Sequence, residues 1–228
     1  MRLRARPPVP TARRCAAALP RASRRERHRA EIRERLFHAA LRLFAERGYL
    51  ETTVEDITDA ADVGKGTFFN YFPTKEHVLA TYGDERVAII QRALAQARAN
   101  KGPVLPVIRA LSVGLVGQSR ACPALLRSIH AANASCASVR EDLQVRLRAA
   151  RRLLTEIFVL AQKRGEIRQD IPASELARLT QLVFNGTIMA WAMNPDSSLR
   201  KTTDELWGLM SLSLHPKDAR GHRKLSRA

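Results

Sequence analysis

The sequence predicts an all-α protein of about nine helices, with a small N-terminal helix-turn-helix domain joined to a larger helical one. Three observations carry this. Apolar residues recur at three- and four-residue steps along most of the chain. No alternating strand pattern of any length appears. Helix starts are marked by Ser or Thr with an acid three residues on. At 228 residues the chain is long enough to bury a substantial core. The predicted boundaries are a disordered basic tail over 1–22, a helix-turn-helix domain over 23–73, a larger helical domain over 74–215 and a second basic tail over 216–228.

The first helix opens at Ser23, with Glu26 as the reciprocal half of a capping box. Ile32, Leu36, Ala40, Leu43 and Phe44 form its inner stripe, and Gly48 stops it. A second, short helix starts at Thr53, has Asp56 three residues later and turns Val54, Ile57 and Ala61 inward. Asp62, Val63 and Gly64 form a turn. A third helix follows, completed by residues 67–72 and ended by Pro73. Thr74 caps the fourth, whose first-turn Glu76 suits the positive end of the helix dipole. Its apolar positions run to about Ala97.

Beyond Gly102 and Pro103, helices are predicted near 104–118 and 123–134. Ser138 and Glu141 read as another capping box, opening a long helix with Leu143, Leu147, Leu154, Ile157, Phe158 and Ala161 inside. It ends near Gly165. Pro172 suits the first turn of the next helix, which is nearly all apolar from Leu182 to Met193. A helix apolar on most sides must be covered on most sides. Asn194, Pro195 and Asp196 break it, and Thr202 with Glu205 caps a last helix carrying Leu206, Trp207, Leu209 and Met210.

Short paired helices such as those in residues 52–79 bury little surface themselves, so they serve to present the second helix. That helix offers Lys65, Thr67, Asn70 and Tyr71. These residue types read base edges and hold phosphates. The sequence therefore predicts binding to double-stranded DNA.

Residues 32–79 resemble the DNA-binding domain of the TetR family of bacterial transcription regulators. The resemblance rests on Phe44, Gly48, Tyr49, Thr52, Thr53, Ile57, Ala60, Val63, Gly66, Thr67, Phe68, Phe69, Tyr71, Phe72, Lys75 and Glu76, in order and spacing. As a string this is highly specific, but it covers only the N-terminal domain. The remaining helices match the family in number and length, not in any motif. The resemblance implies that the third helix enters the major groove of a palindromic operator, carried on a homodimer. Lys65 would then reach a base edge or a phosphate, and Thr67 a base methyl group or a phosphate. Tyr71 and Lys75 would hold phosphates. Thr53 would offer its hydroxyl or amide at a helix N-terminus, and Asn70 could pair with adenine. Gly64 lets the backbone come close to the sugar-phosphate, and Gly66 belongs to the same DNA-facing set. Two departures stand out: Gly64 where many relatives have serine, and Phe69, with no hydroxyl, where the family often has tyrosine. Phe68 and Phe72 fit the small domain's core. Arg24, Arg25, Arg27 and Arg29 read either as phosphate contacts or as a solvated helix face.

For residues 74–215 the resemblance implies ligand binding and dimerisation through the last two helices, with a small apolar ligand releasing the operator. Phe158, Phe184, Met189 and Trp191 are the candidate pocket residues. A stripe such as Phe184, Met189, Trp191 and Met193 is more often core or dimer interface than a pocket wall. His130 has no acid partner at nucleophile-base-orienter spacing, and no metal-ligand spacing or Gly-rich phosphate loop appears. The expectation is a regulator, most simply a repressor, rather than an enzyme, with no cofactor and no metal.

The net charge of +17 lies mostly at the ends. Residues 1–25 carry eight arginines and no acid, and residues 216–228 carry five Lys or Arg against one Asp. This keeps a second reading open, a non-specific architectural DNA-binding protein acting through its tails. Residues 1–22 read either as an arm touching DNA or as flanking sequence upstream of the true start. Cys15, Cys122 and Cys136 fit a reducing cytoplasm; the latter two could pair or simply fill small apolar sites. No run is apolar enough to span a membrane, and a cytoplasmic location is expected.

Overall fold

The computed structural model describes residues 23–117, 123–195 and 198–216, with side-chain positions for 116 and 117 excepted. The expected N-terminal tail, almost all of the C-terminal tail, Cys15, Cys122 and Asp196 lie outside the described residues. Among these residues the chain forms nine helices and no strand. They are α1 (Arg24–Glu46), α2 (Val54–Ala60), α3 (Lys65–Phe69), α4 (Glu76–Ala99), α5 (Leu105–Gly117), α6 (Pro123–Ser135), α7 (Ala137–Lys163), α8 (Ala173–Met193) and α9 (Leu199–Leu214).

The capping residues fix several of these boundaries. Ser23 Oγ accepts from the Glu26 amide at 3.2 Å while the Glu26 carboxylate accepts from the Ser23 amide at 2.7 Å. Thr53 and Asp56 form the same reciprocal pair at the start of α2. Gly48 and Gly165 follow α1 and α7 with φ of 93° and 70°, a left-handed conformation that only glycine adopts without strain.

Four expected boundaries move. α3 ends at Phe69 rather than Phe72, because the residue before Pro73 is pushed out of the helical region. Tyr71 and Phe72 still donate back to the Phe68 carbonyl, both at 2.9 Å. α4 starts at Glu76 with Lys75 at the cap, and Thr74 Oγ1 lies 3.1 Å from His77 Nδ1. α7 starts at Ala137 with Cys136 at its cap, so Ser138 is inside the helix and bonds the Cys136 thiol at 3.2 Å. α9 begins at Leu199, and Thr202 bonds back to the Ser198 carbonyl from within the helix.

Two apolar cores organise the packing. The first joins Leu36, Phe37 and Phe44 of α1 to Ile57, Phe68 and Phe72, and continues into Leu125 and Ala132 of α6 and Val139 of α7. The second joins α4, α5, α7 and α8 around Ile108, Ile157, Phe158 and Ala177. α4 contributes to both, and its broadest packing is against α7. One rigid rod therefore links the N-terminal helices to the larger bundle.

α8 is not covered on most sides. Leu182, Val183 and Met193 stay exposed on it, as do Leu209 and Leu212 on α9.

Candidate nucleic-acid interface and apolar cavity

Phe68 and Phe72 anchor the turn-helix unit from inside, both fully buried with ring centroids 5.6 Å apart. Arg35 on α1 holds the turn, donating to the carbonyls of Ala61 and, at 3.0 Å, Asp62. Asp62 takes a φ of 51° there. With Phe68 inward, Lys65, Gly66, Phe69 and Asn70 are exposed, and Thr67 and Tyr71 are half-buried. The sequence-predicted reading residues thus share one short helix and its C-terminal turn.

The expected contacts differ in how free they are. Lys65 is paired with Glu55 of α2, and both side chains are more than half exposed. Lys65 is the principal cause holding the Glu55 carboxyl below its ordinary range. An ion pair so open to water contributes little stability and yields readily to a phosphate. Thr53 is more committed: its hydroxyl donates to Asp56 at 2.6 Å and its amide to the same carboxylate at 2.8 Å. Those bonds to Thr53, hydroxyl first, hold the Asp56 carboxyl below its ordinary range.

Lys75 meets a geometry unlike the expected phosphate contact. Its ammonium donates to the carbonyls of Tyr49 and Thr52 at 3.0 Å and reaches Leu50 O at 3.4 Å. It also lies 4.5 Å from the Tyr49 ring centroid. Three donors facing three carbonyls make Lys75 a clamp on the α1–α2 loop. Beside it the Tyr49 hydroxyl donates to Glu76 at 2.7 Å. Burial, then Glu76, push the Tyr49 phenol upward. Burial pulls the Glu76 carboxyl upward, but the bonds from Thr74 and Tyr49 outweigh it and leave it below the ordinary range.

Gly64 caps α3 without a side-chain bond. A Cβ at Gly64 or Gly66 meets nothing within 4 Å. Nothing inside the fold requires these glycines, so their bare surface is available to a partner.

In the larger bundle, α4, α5, α6, α7 and α8 enclose a mostly apolar cavity of about 480 Å³. Ile90, Leu111, Leu147 and Ile188 are typical of its wall, with Tyr82, His130, Arg146 and Gln181 as polar members. Of the expected pocket residues, Phe184 and Met189 line it. Phe158 does not: it is fully buried in the second core, where its place on the α7 inner stripe puts it. Trp191 lies half-buried outside the lining. Tyr82 and Arg146 carried no distinguishing sequence signal, since a lone aromatic on an apolar stripe reads as core and a lone arginine as surface.

The family model described as "Bacterial regulatory proteins, tetR family" matches residues 36–82, the segment that holds the whole reading unit. That segment is a TetR-family DNA-binding domain. The curated relatives that the chain matches are transcription regulators of the helix-turn-helix type. The chain is 37% identical over 67 residues to the HTH-type transcriptional repressor DhaR of Mycobacterium sp. strain GP1, covering 29% of this chain and 34% of that one. It is 26% identical over 165 residues to the repressor KstR of Mycobacterium tuberculosis, 71% of each chain. The chain thus spans about a third of DhaR and most of KstR.

The TetR-family likeness extends to the bundle. The Thermus thermophilus repressor FadR, solved with lauroyl-CoA, matches with a TM-score of 0.60 and 29% identity, over 82% of this chain and 97% of that one. Bacillus subtilis FadR, solved with stearoyl-CoA, shares the fold at a TM-score of 0.66 and 20% identity, over 80% and 99% of the two chains.

Proposed function

We propose that the chain is a TetR-family regulator, a homodimeric repressor acting in the cytoplasm. It binds a palindromic operator through α3 and releases it when a small, largely apolar molecule fills the cavity. The observation that carries this reading is the path of α4. Its first residue, Glu76, bonds Tyr49 of the N-terminal unit, while Tyr82, Arg86 and Ile90 further along form the cavity wall. A ligand that shifts α4 shifts the reading helix with it. Because half-site spacing is geometric, a small displacement in a dimer is enough to weaken binding to both half-sites.

The cavity's size falls in the ordinary range for small-molecule sites, and its apolar wall suits a ligand driven in by the hydrophobic effect. A relative of the same fold holds lauroyl-CoA, which favours a ligand with a substantial apolar part. Leu182 on α8 and Leu209 and Leu212 on α9 are 60%, 71% and 71% exposed. Helix faces this apolar suit a two-fold four-helix contact with a second copy. In this reading Lys65, Thr67, Asn70, Tyr71 and the bare backbone at Gly64 and Gly66 face DNA. Thr53 and Lys75 hold α2 and its loop in place. Architectural coating through the basic tails is not favoured, since the family is one of regulators that act at placed sites.

A mobility-shift titration with the upstream region of the chain's own gene tests the proposal. Sequence-selective binding that is lost on adding a cavity ligand is the expected result. Binding equal to that of random duplex, or unaffected by any ligand that the purified protein takes up, would overturn it.

A further inference from the structure

We infer that the Tyr82 hydroxyl is a polar anchor of the cavity, donating a hydrogen bond to an oxygen of an otherwise apolar ligand. The ligand class is then a largely apolar molecule carrying a carbonyl or comparable acceptor. This rests on the ligand-release reading above and adds to it the chemistry that the ligand must have.

Tyr82 is 8% exposed, and its oxygen is buried without a hydrogen-bond partner. Buried polar atoms are nearly always paired, so an unpaired hydroxyl on the wall of a cavity needs an explanation. Only one other such atom occurs among the described residues, Ser128 Oγ, and Ser128 does not line the cavity. A phenol brings a ring that packs well against apolar neighbours and a tip that loses heavily if left dry. Placed on a cavity wall, that tip is satisfied by whatever enters.

Four other polar groups of the wall are already engaged. Gln181 accepts from Arg151 at 3.0 Å and donates to the Leu147 carbonyl at 2.9 Å. Ser112 donates to the Ile108 carbonyl at 3.1 Å. Arg86 donates to the Leu115 carbonyl at 3.1 Å, with its guanidinium carbon 5.9 Å from the Tyr82 ring centroid. Arg146 donates to Asp84 at 2.8 Å and lies 3.7 Å from the Asp142 carboxylate. Two carboxylates beside Arg146 offset its charge, so the bond that Tyr82 offers is a hydrogen bond to an acceptor rather than an ion pair at Arg146. Tyr82 stands on α4, the helix that joins the cavity to the N-terminal unit, so a bond made there acts directly on the element that must move.

The test uses full-length protein, the fluorescent naphthyl ketone prodan as reporter, and cyclododecanone and cyclododecane as a matched pair of displacing ligands. Wild type should bind the ketone about three- to tenfold more tightly than the hydrocarbon, the worth of one hydrogen bond. Tyr82→Phe should bring that ratio to about one and leave hydrocarbon binding unchanged. Its thermal midpoint should be no lower than that of wild type, because no internal bond is lost. A ketone preference that survives in Tyr82→Phe, or a clear fall in its thermal midpoint, overturns the anchor while leaving the cavity reading intact. Absence of saturable prodan binding to wild type overturns the cavity reading itself, and the anchor with it.

Discussion

Gly83 on α4 and Arg146 on α7 fit one another across the broadest helix contact of the bundle. A Cβ on Gly83 would stand 2.5 Å from Arg146 Cδ, so the glycine opens the slot that the arginine stem occupies. From that slot Arg146 Nε donates to the Ala80 carbonyl and to Asp84, both at 2.8 Å. Gly83→Ala should expel the stem and destabilise the protein by about 1–3 kcal/mol, the loss of charge-assisted bonds exceeding the helix-propensity gain. In an Arg146→Ala background the slot is empty, and the same substitution should stabilise by up to about 1 kcal/mol. Urea denaturation of the four proteins measures the reversal. Destabilisation of equal size in both backgrounds would show that the glycine serves something else.

Gly66 poses the opposite case. Its Cβ position is open space in the free protein, so Gly66→Ala should leave stability unchanged or raise it by up to about 1 kcal/mol. If the bare backbone faces the sugar-phosphate, the added methyl should still weaken DNA binding. Thermal melting and fluorescence anisotropy on one protein sample separate the two effects. A loss of stability parallel to the loss of binding would remove Gly66 from the interface.

Lys75 and Lys65 should respond differently to salt. Lys75→Ala removes a clamp from three carbonyls and should lower stability by roughly 1–2 kcal/mol, discounted for partial exposure. It should leave the salt dependence of DNA binding near that of wild type. Lys65→Ala should leave stability nearly unchanged, since its partner Glu55 is equally exposed. A salt slope that falls by about one unit in Lys75→Ala would restore a phosphate contact to it.

Acid should loosen the start of α2. The bonds from Thr53 hold Asp56 below its ordinary range. A carboxylate depressed in the folded state contributes stability above its unfolded value, about 3.9, and loses it as pH falls toward the folded one. The gap in thermal midpoint between wild type and Asp56→Asn should therefore narrow as pH is lowered from about 6 to about 3. A constant gap would mean that the carboxylate's charge plays no part in the cap.

Local chemistry explains which features could be read in advance. Ser23 with Glu26, Thr53 with Asp56, and the left-handed Gly48 and Gly165 are decided within a few residues, so sequence spacing exposes them. Ser138 with Glu141 has the same spacing but lies inside α7, because the helix starts where α6 ends, at Cys136. Periodicity places Phe158 inward and cannot say whether inward means core or cavity; that depends on how five helices meet. Lys75 carries the right charge at the motif position, yet its partners are carbonyls more than twenty residues earlier in the chain. The unpaired Tyr82 hydroxyl is a relation among helices and has no sequence signature.

The account stands most directly on whether α3 reads sequence. Selection of bound duplexes from a random library, with wild-type protein and Lys65→Ala in parallel, measures this. Wild type should enrich a palindrome with two equal half-sites. Lys65→Ala should bind that site about 1–3 kcal/mol more weakly, with preference relaxed at one position of each half-site. A wild-type pool with no enriched sequence, or the same palindrome recovered at full affinity by Lys65→Ala, would contradict the account.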